Sequence, residues 1–142
     1  VHAREIVVER PPEAVYRLLV EPAERARWQS SFEEQPLAAP LRVGSRIRAR
    51  RRGSTSGSSY ELVVTALEPG RRLAMDAYRN GQLVAVNVFL LAPEGVGGTR
   101  VRGEAEVRLT GLQRVLAPVV GAELERRLGE ELAALKRHAE SG

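Results

Sequence analysis

Among its 142 residues the chain has no cysteine, one lysine (Lys136), one aspartate (Asp76), one methionine (Met75) and one tryptophan (Trp28). The absence of cysteine excludes a disulfide framework, a thiolate nucleophile, an iron–sulfur cluster and a cysteine zinc site. Aromatic residues make up only 4% of the chain, which leaves few ring faces for stacking nucleic-acid bases, and no nucleic-acid partner is expected. No apolar run approaches the roughly 20 residues that span a bilayer, and the amino end lacks a leader pattern. No integral membrane segment is therefore expected, and a soluble, cytoplasmic protein is the expectation. The two histidines, His2 and His138, lie at opposite ends of the chain with no ligand-spaced partner. They read as exposed terminal residues, and neither a metal site nor a catalytic triad is expected.

What is abundant is arginine. Of the 22 basic residues all but Lys136 are arginines, set against 18 acidic ones, for a net charge of +4. That bias is mild and reads mainly as a solvated surface, although a local arginine cluster can still hold an anion. The length fits one domain, residues 1–142, large enough to bury a core without staples.

Hydrophobic periodicity divides the chain clearly. His2 to Glu9, with Ile6, Val7 and Val8, predicts a strand that stops at Pro11. Pro12 and Glu13 suit a helix start, and Val15, Leu18 and Leu19 place one apolar face on a short helix to about Val20. Glu21 and Pro22 break it. A second short helix, Ala23 to Trp28, is expected to carry Glu24, Arg25 and Arg27 outward. From Phe32 to Leu109 the pattern is strands and turns. Arg46 to Arg51 alternates, Gly53 to Ser59 reads as a loop, and Tyr60 to Leu67 resumes as the hairpin partner. Arg72 to Tyr78 follows, Asn80-Gly81 is a tight-turn dipeptide, and Leu83 to Leu91 is the most apolar strand. Pro93 to Gly98 is read as a turn. Thr99 to Leu109 then alternates Val101, Gly103, Ala105, Val107 and Leu109 with charged residues. Beyond Gly111, Leu116, Val120, Leu124, Leu128, Leu132 and Leu135 form the stripe of one long helix, which Pro118 either starts or kinks. Glu123 with Arg127, and Arg126 with Glu130, are spaced to pair across a turn.

Short links demand an antiparallel sheet. One helix with a narrow stripe does not cover six or seven strands unless the sheet curls around it, and a gap between the two becomes an apolar cavity. The expected class is α+β.

At this level the chain resembles the START-like, or SRPBCC, superfamily, whose helix-grip fold is shared by polyketide cyclase and lipid-transport type proteins. The resemblance lies in Val8-Glu9-Arg10-Pro11-Pro12-Glu13-Ala14-Val15-Tyr16-Arg17-Leu18-Leu19, Pro22 followed by Trp28, and Val43-Gly44. It continues in Glu68-Pro69-Gly70-Arg71-Arg72-Leu73, Pro93, Gly98-Thr99-Arg100-Val101 and Leu132-Ala133-Ala134-Leu135-Lys136. It implies a curved antiparallel sheet around a long carboxy-terminal helix, and a cavity for a small hydrophobic molecule, mostly without cofactor or metal. It also implies that Trp28 and Phe32, after the short helices, border the entrance.

The candidate ligand-binding residues are Trp28, Phe32, Arg51, Tyr60, Met75, Asn87, Phe89, Leu116, Val120 and Leu124; no catalytic residue is assigned. Alternation puts Arg46, Arg48 and Arg50 on one strand face and Ile47, Ala49 and Arg51 on the other. If that second face is the inner one, Arg51 stands at the cavity rim, where a guanidinium pairs with carboxylate or enolate oxygens. Asn87, the only polar side chain between Val84 and Leu91, faces either water or the cavity. Asp76 and Glu61 are expected at the surface, and Tyr60 and Tyr78 either pack with wet hydroxyls or offer phenols to a ligand. Gly95, Gly97 and Gly98 resemble a phosphate loop only superficially, since a strand follows them; Gly53 to Ser59 has hydroxyls but no following helix. The favoured reading is a binding module for a lipid, a polyketide or a similar molecule. The alternatives are a cyclase, aromatase or dehydratase in which Arg51, Tyr60 or Asn87 polarises the substrate, and a protein-interaction module using the basic strand face. A monomer or loose homodimer is expected.

Overall fold

The computed structural model describes residues 1–52 and 59–141; the stretch read as a glycine and serine loop lies, up to residue 58, outside the described residues. The elements run β1 (His2–Val8), α1 (Pro12–Val20), α2 (Pro22–Trp28), β2 (Phe32–Glu34), β3 (Arg46–Arg51), β4 (Ser59–Glu68), β5 (Arg72–Arg79), β6 (Gln82–Glu94) and β7 (Gly98–Val107). A 3-10 turn (Gly111–Leu116) then leads into α3 (Ala117–Glu140). All strand pairings are antiparallel, in the order β1-β7-β6-β5-β4-β3-β2. Register irregularities between Val64 and Ala66 and between Ala77 and Tyr78 bend the middle strands. This is the α+β helix-grip architecture: a curled seven-stranded sheet with a long carboxy-terminal helix.

Local chemistry explains the joints. Pro12 and Pro22 occupy the first turns of α1 and α2, where a missing N–H costs nothing. Asn80 and Gly81 both have positive φ, 51° and 77°, as the two-residue hairpin between β5 and β6 requires. Pro93 corrects the expected turn: β6 runs on to Glu94, with Pro93 opposite Thr99. The strand tolerates it because Leu91 already directs its N–H away from β7, to the Arg71 carbonyl. By alternation the Pro93 nitrogen points the same way, beyond the start of β5, where no ladder bond is lost.

The inner face of the sheet carries Val8, Ile47, Ala49, Leu62, Val64, Leu73, Met75, Phe89, Leu91 and Val101, all buried. Gly103 lets α3 approach, since a Cβ there would lie 3.3 Å from a Leu128 methyl. The carboxy-terminal end of α3 is clamped to the end of β1. Lys136 Nζ donates to the Val7 carbonyl at 2.6 Å, Arg10 Nε to the Ala139 carbonyl at 2.9 Å, and the Glu9 N–H to Glu140 at 2.8 Å. Pro118 starts the regular helix rather than kinking it. The continuous apolar stripe expected along that helix is buried only in its later part, at Leu128, Leu132, Leu135 and Ala139. Leu116 precedes the regular helix on the 3-10 turn and is 54% exposed. Arg126 takes both Glu123 and Glu130, so the expected Glu123–Arg127 pair does not form. The histidines are not exposed ends: each is partly buried and pairs with a glutamate of a distant element, His2 with Glu125 at 3.1 Å and His138 with Glu24 at 2.7 Å.

Candidate functional site

Between α3, the end of α2 and the middle strands lies a cavity of about 30 Å³. Its apolar lining comes from Phe32, Leu62, Met75, Phe89 and Leu128, and its polar lining includes Arg25, Gln29, Asn87 and Glu131. Register explains the convergence, because Met75 faces Asn87 across β5 and β6, and Leu73 faces Phe89. Directly opposed residues share a sheet face, so Asn87 belongs to the inner side.

Arg25 reverses its expected outward placement. It is only 2% exposed and grips Glu34 through two hydrogen bonds of 2.8 and 2.6 Å. Its third contact is the Leu19 carbonyl at 2.9 Å, and its guanidinium lies 5.4 Å from the centre of the Trp28 ring. Arg25 stands three residues before Trp28, on the same helical face, and Glu34 of β2 supplies the compensating charge. Trp28 itself is buried behind the cavity, donating from Nε1 to the Leu18 carbonyl and meeting Phe89 edge to face at 5.8 Å.

Glu131 is the carboxyl that α3 turns toward this interior. Burial pushes its pKa up, and the neighbouring charge of Glu34 adds to that; a hydrogen bond from Ser31 and the guanidiniums of Arg127 and Arg25 oppose it. The burial effect dominates, so the neutral acid is favoured there more than in water. Beside the cavity Phe32 and Tyr60 meet edge to face at 5.6 Å. Arg127 lies 5.7 Å from the Phe32 ring centre, Arg79 lies 5.9 Å from that of Tyr60, and Arg51 is the cross-strand neighbour of Phe32.

Of the residues singled out from sequence, Phe32, Met75, Asn87 and Phe89 line the cavity. Tyr60 and Arg51 stand beside Phe32 at its edge, and Trp28 packs behind it. Leu116, Val120 and Leu124 are not among the cavity's lining residues, because α3 packs onto the sheet mainly through its later turns. Arg46 and Arg48 lie on the outer face, in an open hollow with Glu61, Val63 and Tyr78. Sequence reasoning missed Arg25, Gln29 and Glu131. The signal for Glu131 was its spacing, three residues after Leu128 and four before Leu135, which puts a carboxyl on the apolar stripe. Among the described residues no group of three His, Asp or Glu side chains is placed to hold a metal ion, and no helix is long and apolar enough to cross a membrane.

A sheet curled around a carboxy-terminal helix, with a partly polar cavity between them, defines a helix-grip protein. The chain belongs to the polyketide cyclase / dehydrase and lipid transport family, whose model matches residues 2–140. Solved structures of the same fold include protein MLL2253 from Mesorhizobium loti, 20% identical, with 99% of this chain and 98% of that one covered and a TM-score of 0.72. Another is the Aha1 dimer of Colwellia psychrerythraea, 19% identical, covering 98% and 95%, with a TM-score of 0.73. DynU16, from the dynemicin biosynthetic locus, is 19% identical at a TM-score of 0.71; 99% of this chain matches 47% of that longer one. A search of curated proteins gave no match.

Proposed function

We propose that the protein binds a small, mostly apolar molecule between α3 and the sheet, with Asn87 and Glu131 meeting its polar atoms. The observation that carries this is the convergence of Gln29, Asn87 and Glu131, from three separate parts of the chain, on a cavity whose other lining residues are mainly apolar, with Arg25 and Glu104 beside them. Gln29 also serves the fold, since its side-chain oxygen accepts the Ser31 N–H at 3.0 Å, but bringing a carboxyl and an amide from α3 and β6 to the same apolar space costs desolvation that a purely apolar core avoids. The family description, which names both polyketide cyclases and lipid transport, supports the same reading.

The space of about 30 Å³ holds one water, whereas ligand pockets start at roughly 300 Å³. Binding therefore includes an opening step, in which the flexible Met75 side chain and Leu128 give way. The cost of opening lowers the apparent affinity by the population of the open form.

Mass spectrometry of small molecules retained through gentle purification tests the reading. A stoichiometric apolar compound is expected, and a Met75→Trp variant that fills the space should release it. Protein that stays empty across panels of lipids and polyketides would overturn the proposal.

The raised pKa of Glu131 also favours a second reading, in which it acts as a general acid on a bound carbonyl or hydroxyl while Asn87 orients the substrate. Under that reading Glu131→Gln keeps binding and loses turnover; an unchanged rate would leave binding alone.

A further inference from the structure

The edge of the cavity gathers two positive charges that no carboxylate among the described residues pairs at close range. Arg127 approaches from α3 and lies against the Phe32 ring, its Cζ 5.7 Å from the ring centre. Arg51 approaches from β3, opposite Phe32 in the β2–β3 register. It shares its strand face with Ile47 and Ala49, both buried on the inner side. Among the described residues neither guanidinium makes a hydrogen bond or a close ion pair. Of the nearby carboxylates, Glu123 holds Arg126 with both oxygens, at 2.5 and 3.0 Å, and it reaches Arg127 and Arg51, as Glu131 reaches Arg127, only through longer-range attraction. Desolvation first and the charge of Arg51 second push the Arg127 guanidinium pKa down, against the smaller opposing pull of Glu131, Glu123 and Tyr60.

Two like charges beside an apolar opening repel each other, and one of them is partly removed from water. An anion with two or three oxygens answers both costs, because guanidinium forks match carboxylate and phosphate geometry. The edge-to-face pair of Phe32 and Tyr60 supplies the step from this polar rim to the apolar interior.

We infer that Arg51 and Arg127 form an oxyanion seat, and that the ligand is an amphipath with one carboxylate or phosphate head between them and an apolar body inside. The inference rests on the reading of the interior as a ligand site, and names the class of ligand it takes.

Calorimetric titration with dodecanoate, monododecyl phosphate and dodecanol near neutral pH tests it, and the first two probes distinguish a carboxylate head from a phosphate one. At least one of the two anions should bind about tenfold more tightly than dodecanol. In the double variant R51Q/R127Q that advantage should shrink to about two-fold while the affinity for dodecanol holds. Raising the salt to about 0.5 M should weaken anion binding to the unaltered protein and spare dodecanol, which gives a readout independent of the variant's folding. Equal binding of all three probes, or an anion advantage that survives both the substitutions and the salt, would overturn the seat and leave the interior site standing. Failure of every probe to bind would overturn both.

Discussion

Arg25 of α2 and Glu34 of β2 face each other through two hydrogen bonds of 2.8 and 2.6 Å, with side chains only 3% and 8% exposed. Neither charge reaches water, so each depends on the other. Truncating one partner strands the second in a low-dielectric site, at a cost of about 3–5 kcal/mol. Arg25→Ala and Glu34→Ala should each show that loss in urea denaturation, whereas the double exchange Arg25→Met with Glu34→Leu should recover most of it. Additive losses would show that the pair is not coupled.

The pH dependence of stability should carry the mark of Glu131. An acid whose pKa rises on folding holds its proton more tightly in the folded chain than in the unfolded one. Its stabilising contribution is complete below the ordinary value of 4.5 and is lost as the pH climbs through the raised one. Glu5, Glu24, Glu123 and Glu140, whose pKa values are lowered by hydrogen bonds from basic partners, act in the opposite sense and lose stability on acidification. Comparing Glu131→Gln with the unaltered protein cancels those. The variant should gain relative stability from about pH 4.5 toward neutrality, and parallel stability profiles would contradict the assignment.

The two ends of the apolar stripe expected from sequence should respond differently to truncation. Leu132, fully buried, should cost about 2–5 kcal/mol as Leu132→Ala. Leu116→Ala should stay within about 0.5 kcal/mol, because the side chain is already in water. Equal losses in thermal or urea melts would mean that the 3-10 turn packs against the sheet after all.

Gly98 closes the β6–β7 hairpin where a side chain does not fit. A Cβ there would sit 2.6 Å from the Glu94 carbonyl oxygen, a backbone atom with little room to move. Gly98→Ala should therefore destabilise by about 1–3 kcal/mol, whereas Gly103→Ala, which meets only the mobile methyls of Leu128 and Leu132, should cost less. Matching midpoints for the two variants would refute the distinction.

Those contrasts show where the residues alone were informative. The strands, the helices and the Asn80-Gly81 turn were legible because each rests on a short-range rule: alternation, helical spacing, proline at a first turn, positive φ at a hairpin. Asn87 could be recognised as a polar side chain in an apolar strand, but not which way it faced. Arg25 misled outright, since arginine on a short helix usually points to water, and only Glu34, brought alongside by β2, makes its burial tolerable.

By itself the amino-acid order determined the class: a curled antiparallel sheet gripping one long helix, without thiol chemistry because there is no cysteine. Tertiary structure decided which charges face inward. It set Glu131 against a cavity, left Arg51 and Arg127 side by side at its edge, and exposed Leu116 while burying Leu132 on the same stripe. The reason is physical: periodicity reports which face of an element is apolar, whereas the cost of a buried charge depends on partners that are distant in sequence and meet only when the sheet closes on the helix.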